Sequence, residues 1–333
     1  MLTIRSRLEK KQKSKKKRII LYSLLFIVLV LLAGVAYIVK QSADAFDSSY
    51  HELERPDDKS PFREEGVTIS DDPISVLLLG LEDYATNGEG GRTDTMILVT
   101  LNPKTEQLTT TLIPRDTRVD YTAEEAGSYA GTHKINGAYN YGSLSGYGAT
   151  ELTVSKVEEF LDVPIDEYVT VNFTGFRDIV DVLGGVEIDV KEGFWEDNIF
   201  NNERIDFTEG VQELDGEEAL AFVRMRKREV NNIYSREERQ VQFIQASMKE
   251  ILSASTLFKA NEISDVIGEN VMTSLNATEI YNLQRAYSDM DSSKIEKLNV
   301  AGEDQQVDGV WYFTPDEQQL VETIDEIKAN LEI

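Results

Sequence analysis

The sequence contains no cysteine and only two histidines. It can therefore form no disulfide and offers no cysteine nucleophile. It also has no Walker A loop, no GxGxxG element and no visible triad built on serine, cysteine or histidine. A chain of 333 residues is long enough to be stabilised by its hydrophobic core without disulfides.

Basic residues are scarce, and they are unevenly placed. The chain has 34 Lys and Arg against 60 Asp and Glu, a formal net charge of -26. Nine of the basic residues lie within residues 1–18, whereas 24 basic and 59 acidic residues follow residue 40. This acidity excludes nonspecific nucleic-acid binding by the part after residue 40 and suits surroundings rich in divalent cations.

Residues 19–39 contain no charged side chain. Such a run of 21 residues is long enough to span the hydrocarbon core as a helix. Because the basic segment 1–18 precedes it, we expect a cytoplasmic N-terminus and an extracellular remainder, in a single-pass protein of the cell membrane. The alternative is a cleaved signal peptide, since small residues occur at 42–45, but the apolar run is longer than such signals usually are.

Residues 40–73 are polar and charged and predict an extracellular stalk or a small accessory segment. Apolar runs at 74–80, 95–101 and 108–113 then predict three strands. The turn-forming segment 102–107 lies between the second and third runs, which indicates a hairpin.

The rest of the chain mixes helical and strand patterns. Helical spacing occurs at 148–161, 176–183, 217–222 and 237–252, and strand patterns occur at 168–173, 186–190 and 295–300. The order of strand, helix and strand with short connections predicts an α/β layer architecture. We therefore expect one globular domain over residues 74–333.

Charged residues stand where the predicted strands begin and end. Asp83 follows the first strand, Arg92 and Asp94 open the second, and Arg115 and Asp116 follow the third. The predicted hairpin brings the last four together, and Asp83 joins them at the same sheet edge. Unpaired carboxylates there would hold Mg²⁺ or Mn²⁺ beside a diphosphate; the alternative is a set of surface ion pairs.

Five arginines and one lysine lie within residues 222–240. Arg224 and Arg226 are two residues apart, so both face the same way if the segment is extended. Paired guanidinium groups suit the oxygens of a diphosphate. A second segment, around His133, Lys134 and Asn136, is rich in glycine and tyrosine and predicts either a loop that covers a glycan or phosphate, or an ordinary ordered loop.

Taken together and in order, these segments resemble the LytR-CpsA-Psr family over residues 74–250. The segments that carry the resemblance are Gly80-x-x-Asp83, Arg92-Thr-Asp94-Thr, Pro114-Arg115-Asp116-Thr, Lys134-Ile-Asn136, Asn172-Phe-x-Gly, Leu-Gly184-Gly185-Val, Leu214-Asp-Gly216, Val-Arg224-Met-Arg226-Lys and Arg236-x-x-Arg239-Gln. Many relatives carry Asp-x-Gly-Arg where this chain has Ile233-Tyr-Ser-Arg236, which leaves a role for an acid there in doubt.

The resemblance implies a membrane-anchored phosphotransferase of the Gram-positive envelope. Such an enzyme moves an anionic glycopolymer (teichoic acid, capsule or a related polysaccharide) from undecaprenyl diphosphate to peptidoglycan. The implied fold is α/β, with a central mixed β-sheet flanked by helices and an apolar groove for the polyprenyl chain. The competing hypotheses are a membrane-anchored transcriptional regulator and a non-catalytic binder of lipid-linked glycan.

The resemblance also implies roles for individual residues. It implies that six arginines surround the diphosphate, namely Arg92, Arg115, Arg224, Arg226, Arg236 and Arg239. Asp83 and Asp94 hold Mg²⁺ or Mn²⁺ or lie near the acceptor hydroxyl, and we expect catalysis to depend on them and on Arg92. The sequence leaves open which carboxylate binds the metal, which takes the proton, and which polymer is transferred.

Overall fold

The structure is a computed structural model that describes residues 49–69, 71–82, 91–251, 266, 270–287 and 294–333. The predicted cytoplasmic tail 1–18, the predicted transmembrane helix 19–39 and Asp83 lie outside these residues. Among the residues that are described, no helix is long and apolar enough to cross a membrane.

Short strands and helices alternate along the chain. The strands are β1 (Ile74–Glu82), β2 (Arg92–Asn102), β3 (Gln107–Leu112), β4 (Arg118–Tyr121), β5 (Gly131–Lys134), β6 (Glu167–Asn172), β7 (Val186–Val190), β8 (Phe194–Asp197), β9 (Arg204–Phe207), β10 (Gly210–Leu214), β11 (Val271–Thr273), β12 (Ile295–Asn299), β13 (Gly302–Val307) and β14 (Val310–Pro315). The helices are α1 (Ala123–Ala126), α2 (Ala138–Ser145), α3 (Ala149–Leu161), α4 (Phe173–Leu183), α5 (Gly216–Arg224), α6 (Arg236–Ile251), α7 (Ala277–Tyr287) and α8 (Glu317–Leu331).

Six strands form a central mixed sheet in the order β11-β6-β1-β2-β3-β12. β1 is parallel to β6 and β3 is parallel to β12, while the remaining neighbours are antiparallel. The predicted hairpin between the second and third strands is confirmed. The register of β1 against β2 shifts between Gly80 and Leu81, so that Glu82 stands opposite Arg92.

Both faces of the central sheet are covered, as the uninterrupted apolar runs predict. On one face, Leu77 and Leu98 pack with Val157 of α3 and Ile327 of α8. On the other, Val99 packs in a cluster with Tyr287 of α7. The predicted α/β architecture with a mixed sheet flanked by helices is therefore confirmed.

β7, the predicted strand at 186–190, does not join the central sheet. It pairs instead with β10, beside a second pair formed by β8 and β9. Buried and exposed residues alternate strictly along β7. A strand of this kind has one apolar face, whereas a central strand of a two-faced layer needs two. Its buried face packs in an aromatic cluster that includes Phe194 and Phe222.

The predicted stalk contacts the domain along the part that the structure describes. Leu53 belongs to the main core, Arg55 forms an ion pair with Glu158 at 3.2 Å, and Arg63 binds Asp166 through two hydrogen bonds at 3.0 and 2.7 Å. The packed domain thus includes residues 49–69 and 71–73, ahead of the predicted boundary at residue 74. The stalk was predicted because this segment is polar and charged. In the structure, Arg55 and Arg63 use their charge to pair with acidic residues of the domain.

Candidate functional site

The site lies at the sheet edge where β1 ends and β2 begins. Asp94 Oδ1 accepts a hydrogen bond from Arg115 Nη1 at 2.8 Å and another from Asn136 Nδ2 at 3.2 Å. Asn136 in turn donates its backbone N–H to the carbonyl of Arg115 at 3.2 Å. The expectation that the hairpin brings Asp94 next to Arg115 is confirmed. Asp116 lies beside them and binds Lys134 Nζ at 2.8 Å.

Glu82 is a site residue that sequence reasoning missed. Its carboxyl group hydrogen-bonds the carboxylate of Asp94, and this bond, together with burial, raises the pKa of Glu82. Burial works to raise the pKa of Asp94 as well, but the hydrogen bond from Glu82 and the charge of Arg115 outweigh it and lower that pKa. Of the two carboxyl groups, Glu82 therefore holds a proton more readily than Asp94.

Sequence reasoning selected Asp83 because it follows the strand, and Asp83 lies outside the described residues. The register shift at Gly80 and Leu81 brings Glu82 into line with the first residues of β2. One signal was available, since Glu82 is the last residue of an otherwise apolar strand and a carboxyl group there needs a partner.

Two arginines next to this pair have unused donors. Arg115 and Arg236 each bury an Nε–H that has no hydrogen-bond partner among the described residues. Arg236 begins α6 and is 11% exposed at its side chain, and both burial and the nearby charge of Arg115 lower its pKa. Two guanidinium groups that repel each other and keep buried donors free form a site that needs an anion.

Arg224 and Arg226 do not lie on a strand, so the predicted extended segment is wrong. Arg224 is the last residue of α5, with its guanidinium carbon 4.9 Å from the centre of the Phe173 ring. Its charge also acts to lower the pKa of Glu82, which places it near the carboxyl pair. Arg226 is exposed in the connection that follows. The helix continues through Arg224 because a capping box at its start and a buried apolar face along it favour helical structure.

Arg239 was expected to contact the diphosphate, and the structure gives it another role. The side chain is fully buried. It donates to the backbone carbonyls of Phe222 at 2.9 Å, of Tyr234 and of Met225, and to Asn231 Oδ1 at 3.3 Å. Because its guanidinium group is occupied by the chain itself, Arg239 holds the segment between α5 and α6 and does not face a ligand.

Arg92 lies at the first position of β2 and is exposed. It stands opposite Glu82, and its charge opposes the rise that burial causes in the pKa of Tyr141. Arg92 is thus at the rim of the site, between the carboxyl pair and a group of tyrosines.

The described residues contain no cluster of three or more carboxylate or histidine side chains that would hold a metal ion. Glu82 and Asp94 provide two interacting carboxyl groups at the site. Such a pair fits a divalent cation, because the cation removes the repulsion between two ionised groups.

Several known proteins are similar to this chain in sequence and in fold. Polyisoprenyl-teichoic acid–peptidoglycan teichoic acid transferase TagV of Bacillus subtilis is 39% identical over 96% of this chain and 80% of its own. The TagU transferase of Oceanobacillus iheyensis is 32% identical over 98% of this chain and 99% of its own. The crystal structure of B. subtilis TagV superposes with a TM-score of 0.66 and covers 78% of this chain and 98% of that one.

The protein YwtF (TagT), solved with bound octaprenyl pyrophosphate lipid, has a TM-score of 0.64 and 29% identity, and covers 85% of this chain and 100% of that one. The LytR_cpsA_psr family model matches residues 36–329, which include each described element from β1 to β14 and most of α8. The chain therefore belongs to the LytR-CpsA-Psr family.

Proposed function

We propose that this chain is a phosphotransferase that moves an anionic wall glycopolymer, with teichoic acid as the leading candidate, from undecaprenyl diphosphate to peptidoglycan. The observation that carries the proposal is the pair of buried, unpartnered Nε–H groups of Arg115 and Arg236 beside the Glu82–Asp94 pair. The teichoic acid transferases named among its relatives, and the relative with a bound prenyl pyrophosphate, support the same chemistry.

The reaction exchanges one P–O bond for another. A hydroxyl oxygen of peptidoglycan attacks the sugar-proximal phosphorus, the bond from that phosphorus to the bridging oxygen breaks, and undecaprenyl phosphate leaves with the bonding electrons. Such a transfer depends mainly on positioning and on stabilisation of phosphate charge. Arg115 and Arg236 direct donors towards the diphosphate oxygens, and Arg224 adds a third positive charge next to the carboxyl pair.

Among the described residues, we assign acceptance of the attacking hydroxyl's proton to Asp94, since the pKa of Asp94 is lowered while that of its partner Glu82 is raised. Mg²⁺ or Mn²⁺, when bound, would neutralise the diphosphate charge, and the residues to hold it are Asp94, Glu82 and Asp83. Asp83 remains a candidate for either role. Arg226 and Arg92 remain candidates for contacts with the polymer or the diphosphate at the rim.

The proposed location is the cell membrane of a Gram-positive bacterium, with a single span at 19–39 and the domain outside. The support is the uncharged run and the basic segment before it. This places the domain beside both the lipid-linked donor and the peptidoglycan acceptor, which are its proposed partners together with the membrane.

The experiment compares two variants of the full chain in detergent micelles. We expect Asp94→Asn to lower transfer of labelled polymer from the lipid carrier to peptidoglycan by about 100-fold or more, because it removes the proton acceptor and ionised partner of Arg115. Asp206→Asn is the matched control, since Asp206 is also a carboxylate paired with an arginine, Arg204, but on exposed β9. Its activity should stay within about 2-fold of wild type.

Titration with Mg²⁺ separates the two roles of Asp94. Partial recovery of the Asp94→Asn variant in excess Mg²⁺ indicates a metal ligand, and no recovery indicates a proton acceptor. Full transfer activity of Asp94→Asn, in a protein that is folded and binds the donor, would contradict the proposal.

A further inference from the structure

The tyrosine-rich segment after Asp116 forms a rigid frame instead of the loop that the sequence predicted. β4 pairs with β5, and α2 follows after one turn. Tyr121 is buried at the base of this frame, and its hydroxyl donates to the carbonyl of Lys134 at 3.0 Å. Burial raises the pKa of Tyr121, so this hydroxyl keeps its proton and its hydrogen bond.

A stack of aromatic rings leads from this base to the surface. Tyr141 packs edge-on against Tyr121, with ring centres 5.2 Å apart and planes at 84°. Tyr129 lies flat on Tyr141, with ring centres 5.4 Å apart and planes at 17°. His133 borders Tyr141 at 5.3 Å. Tyr129 is 48% exposed, so one face of a ring held by its neighbours is presented to solvent.

The stack is fixed next to the reacting groups. Asn136 lies between β5 and α2 and donates to Asp94, so the element that carries Tyr141 is tied to the site. Arg92 is two residues from Asp94, and its charge reaches Tyr141. Tyr129 lies on Tyr141, so the stack and the Asp94 carboxylate are linked through the segment that carries Asn136.

We propose that Tyr129, supported by Tyr141, is a subsite that stacks on a sugar ring of the peptidoglycan acceptor. The proposal rests on the function proposed above and names the binding surface for its acceptor. A pyranose ring has an apolar C–H face, which packs on an aromatic ring that is already held in place. Exposed Asp120 and Glu124 near the stack disfavour the anionic donor polymer there, while they tolerate an uncharged sugar.

The test uses the full chain in detergent micelles and two probes. The binding probe is the tetramer of N-acetylglucosamine, and the transfer probe is uncrosslinked peptidoglycan. We expect Tyr129→Ala to weaken tetramer binding and to raise the KM for peptidoglycan by about 10-fold, because one stacking face is lost. The KM for the lipid-linked donor should not change. Tyr129→Phe keeps the ring and should behave as wild type.

Tyr281→Ala is the matched control, because Tyr281 on α7 is 52% exposed. It should change neither measurement. Unchanged tetramer binding and an unchanged KM for peptidoglycan in Tyr129→Ala would overturn the subsite while leaving the proposed function standing. Equal losses of donor and acceptor binding would also overturn it, since they indicate a structural role. A wild-type protein that binds the donor but transfers nothing to peptidoglycan would overturn the function itself.

Discussion

Arg236 and Arg239 lie one turn apart on α6, and their surroundings give them opposite roles. Arg239 has its donors on backbone carbonyls and on Asn231, and burial lowers its pKa to about 10. Arg236 keeps a buried Nε–H without a partner among the described residues. A guanidinium group whose N–H donors bind acceptors of the protein stabilises the fold. A guanidinium group that keeps an unbound N–H donor is available to a ligand.

This difference predicts opposite effects of the same substitution. Arg239→Met should lower the free energy of unfolding by about 3 kcal/mol or more, since three carbonyls lose their donor in a buried site. Arg236→Met should leave unfolding within about 1 kcal/mol of wild type and weaken binding of a prenyl diphosphate by about 10-fold or more. Chemical unfolding and calorimetric binding measure the two effects. If the Arg239→Met variant is as stable as wild type but fails to bind the prenyl diphosphate, the structural role of Arg239 is wrong and Arg239 contacts the ligand.

At the scale of elements, the end of α5 positions Arg224 and the start of α6 positions Arg236 at the sheet edge. α5 begins with a capping box, in which the Asp215 side chain accepts from Glu218 N at 2.9 Å and Glu218 accepts from Asp215 N at 3.1 Å. It ends at Arg224, and the connection held by Arg239 leads to Arg236. The position of α5 against α4 therefore decides where Arg224 lies.

Gly216 sets that position, because the backbone of α4 lies against it. A Cβ at residue 216 would lie 2.2 Å from the carbonyl oxygen of Arg177. We expect Gly216→Ala to shift α5, to cost about 1–3 kcal/mol of stability and to weaken donor binding. Gly66→Ala is the control, since no atom lies within 4 Å of its added Cβ. Denaturant unfolding would contradict this if both variants had the same midpoint.

At the scale of the whole molecule, the proposed site and a half-buried carboxyl group, Glu167, lie at opposite ends of the sheet. β6 begins at Glu167, opposite Val76, and ends at Asn172, opposite Leu81 near the site. Five residues of strand separate the two ends, roughly 17 Å. Burial raises the pKa of Glu167 to about 7. The hydrogen bond with Ser274 acts to lower this pKa, and repulsion from Glu279 acts to raise it.

This carboxyl group makes stability depend on pH. Since the folded pKa is about 7 and the unfolded value is 4.5, the folded state alone binds this proton between those pH values. The stabilisation is complete below pH 4.5 and is lost as pH rises to about 7. In the wild type, we expect the free energy of unfolding to fall by about 1–2 kcal/mol across this pH window, and Glu167→Gln should remove that decline. Thermal unfolding at pH 5, 6, 7 and 8 would contradict this if the variant kept the wild-type slope.

Exposed Glu326 on α8 provides the control, and Glu326→Gln should keep the wild-type slope. Because Glu167 is remote from Asp94, the Glu167→Gln variant should also keep the pH dependence of transfer. Stability and catalysis can thus be separated by pH in one molecule.

The sequence by itself determined five of the six strands of the central sheet, all but β11, together with the β2–β3 hairpin and the encounter of Asp94 with Arg115. These follow from uninterrupted apolar runs and a proline-containing turn, which are local signals read over a few residues. The LytR-CpsA-Psr segments also point to the family, because their residues, spacing and order are all properties of the linear chain.

The tertiary structure alone decided which charged side chains work together. It paired Glu82 with Asp94, turned Arg239 inward to the carbonyl of Phe222, ended α5 at Arg224 and placed β7 beside β10. Each of these outcomes depends on residues distant in sequence. Local periodicity reports which face of an element is apolar, but the partner and burial of a charged group are set by the elements that pack around it.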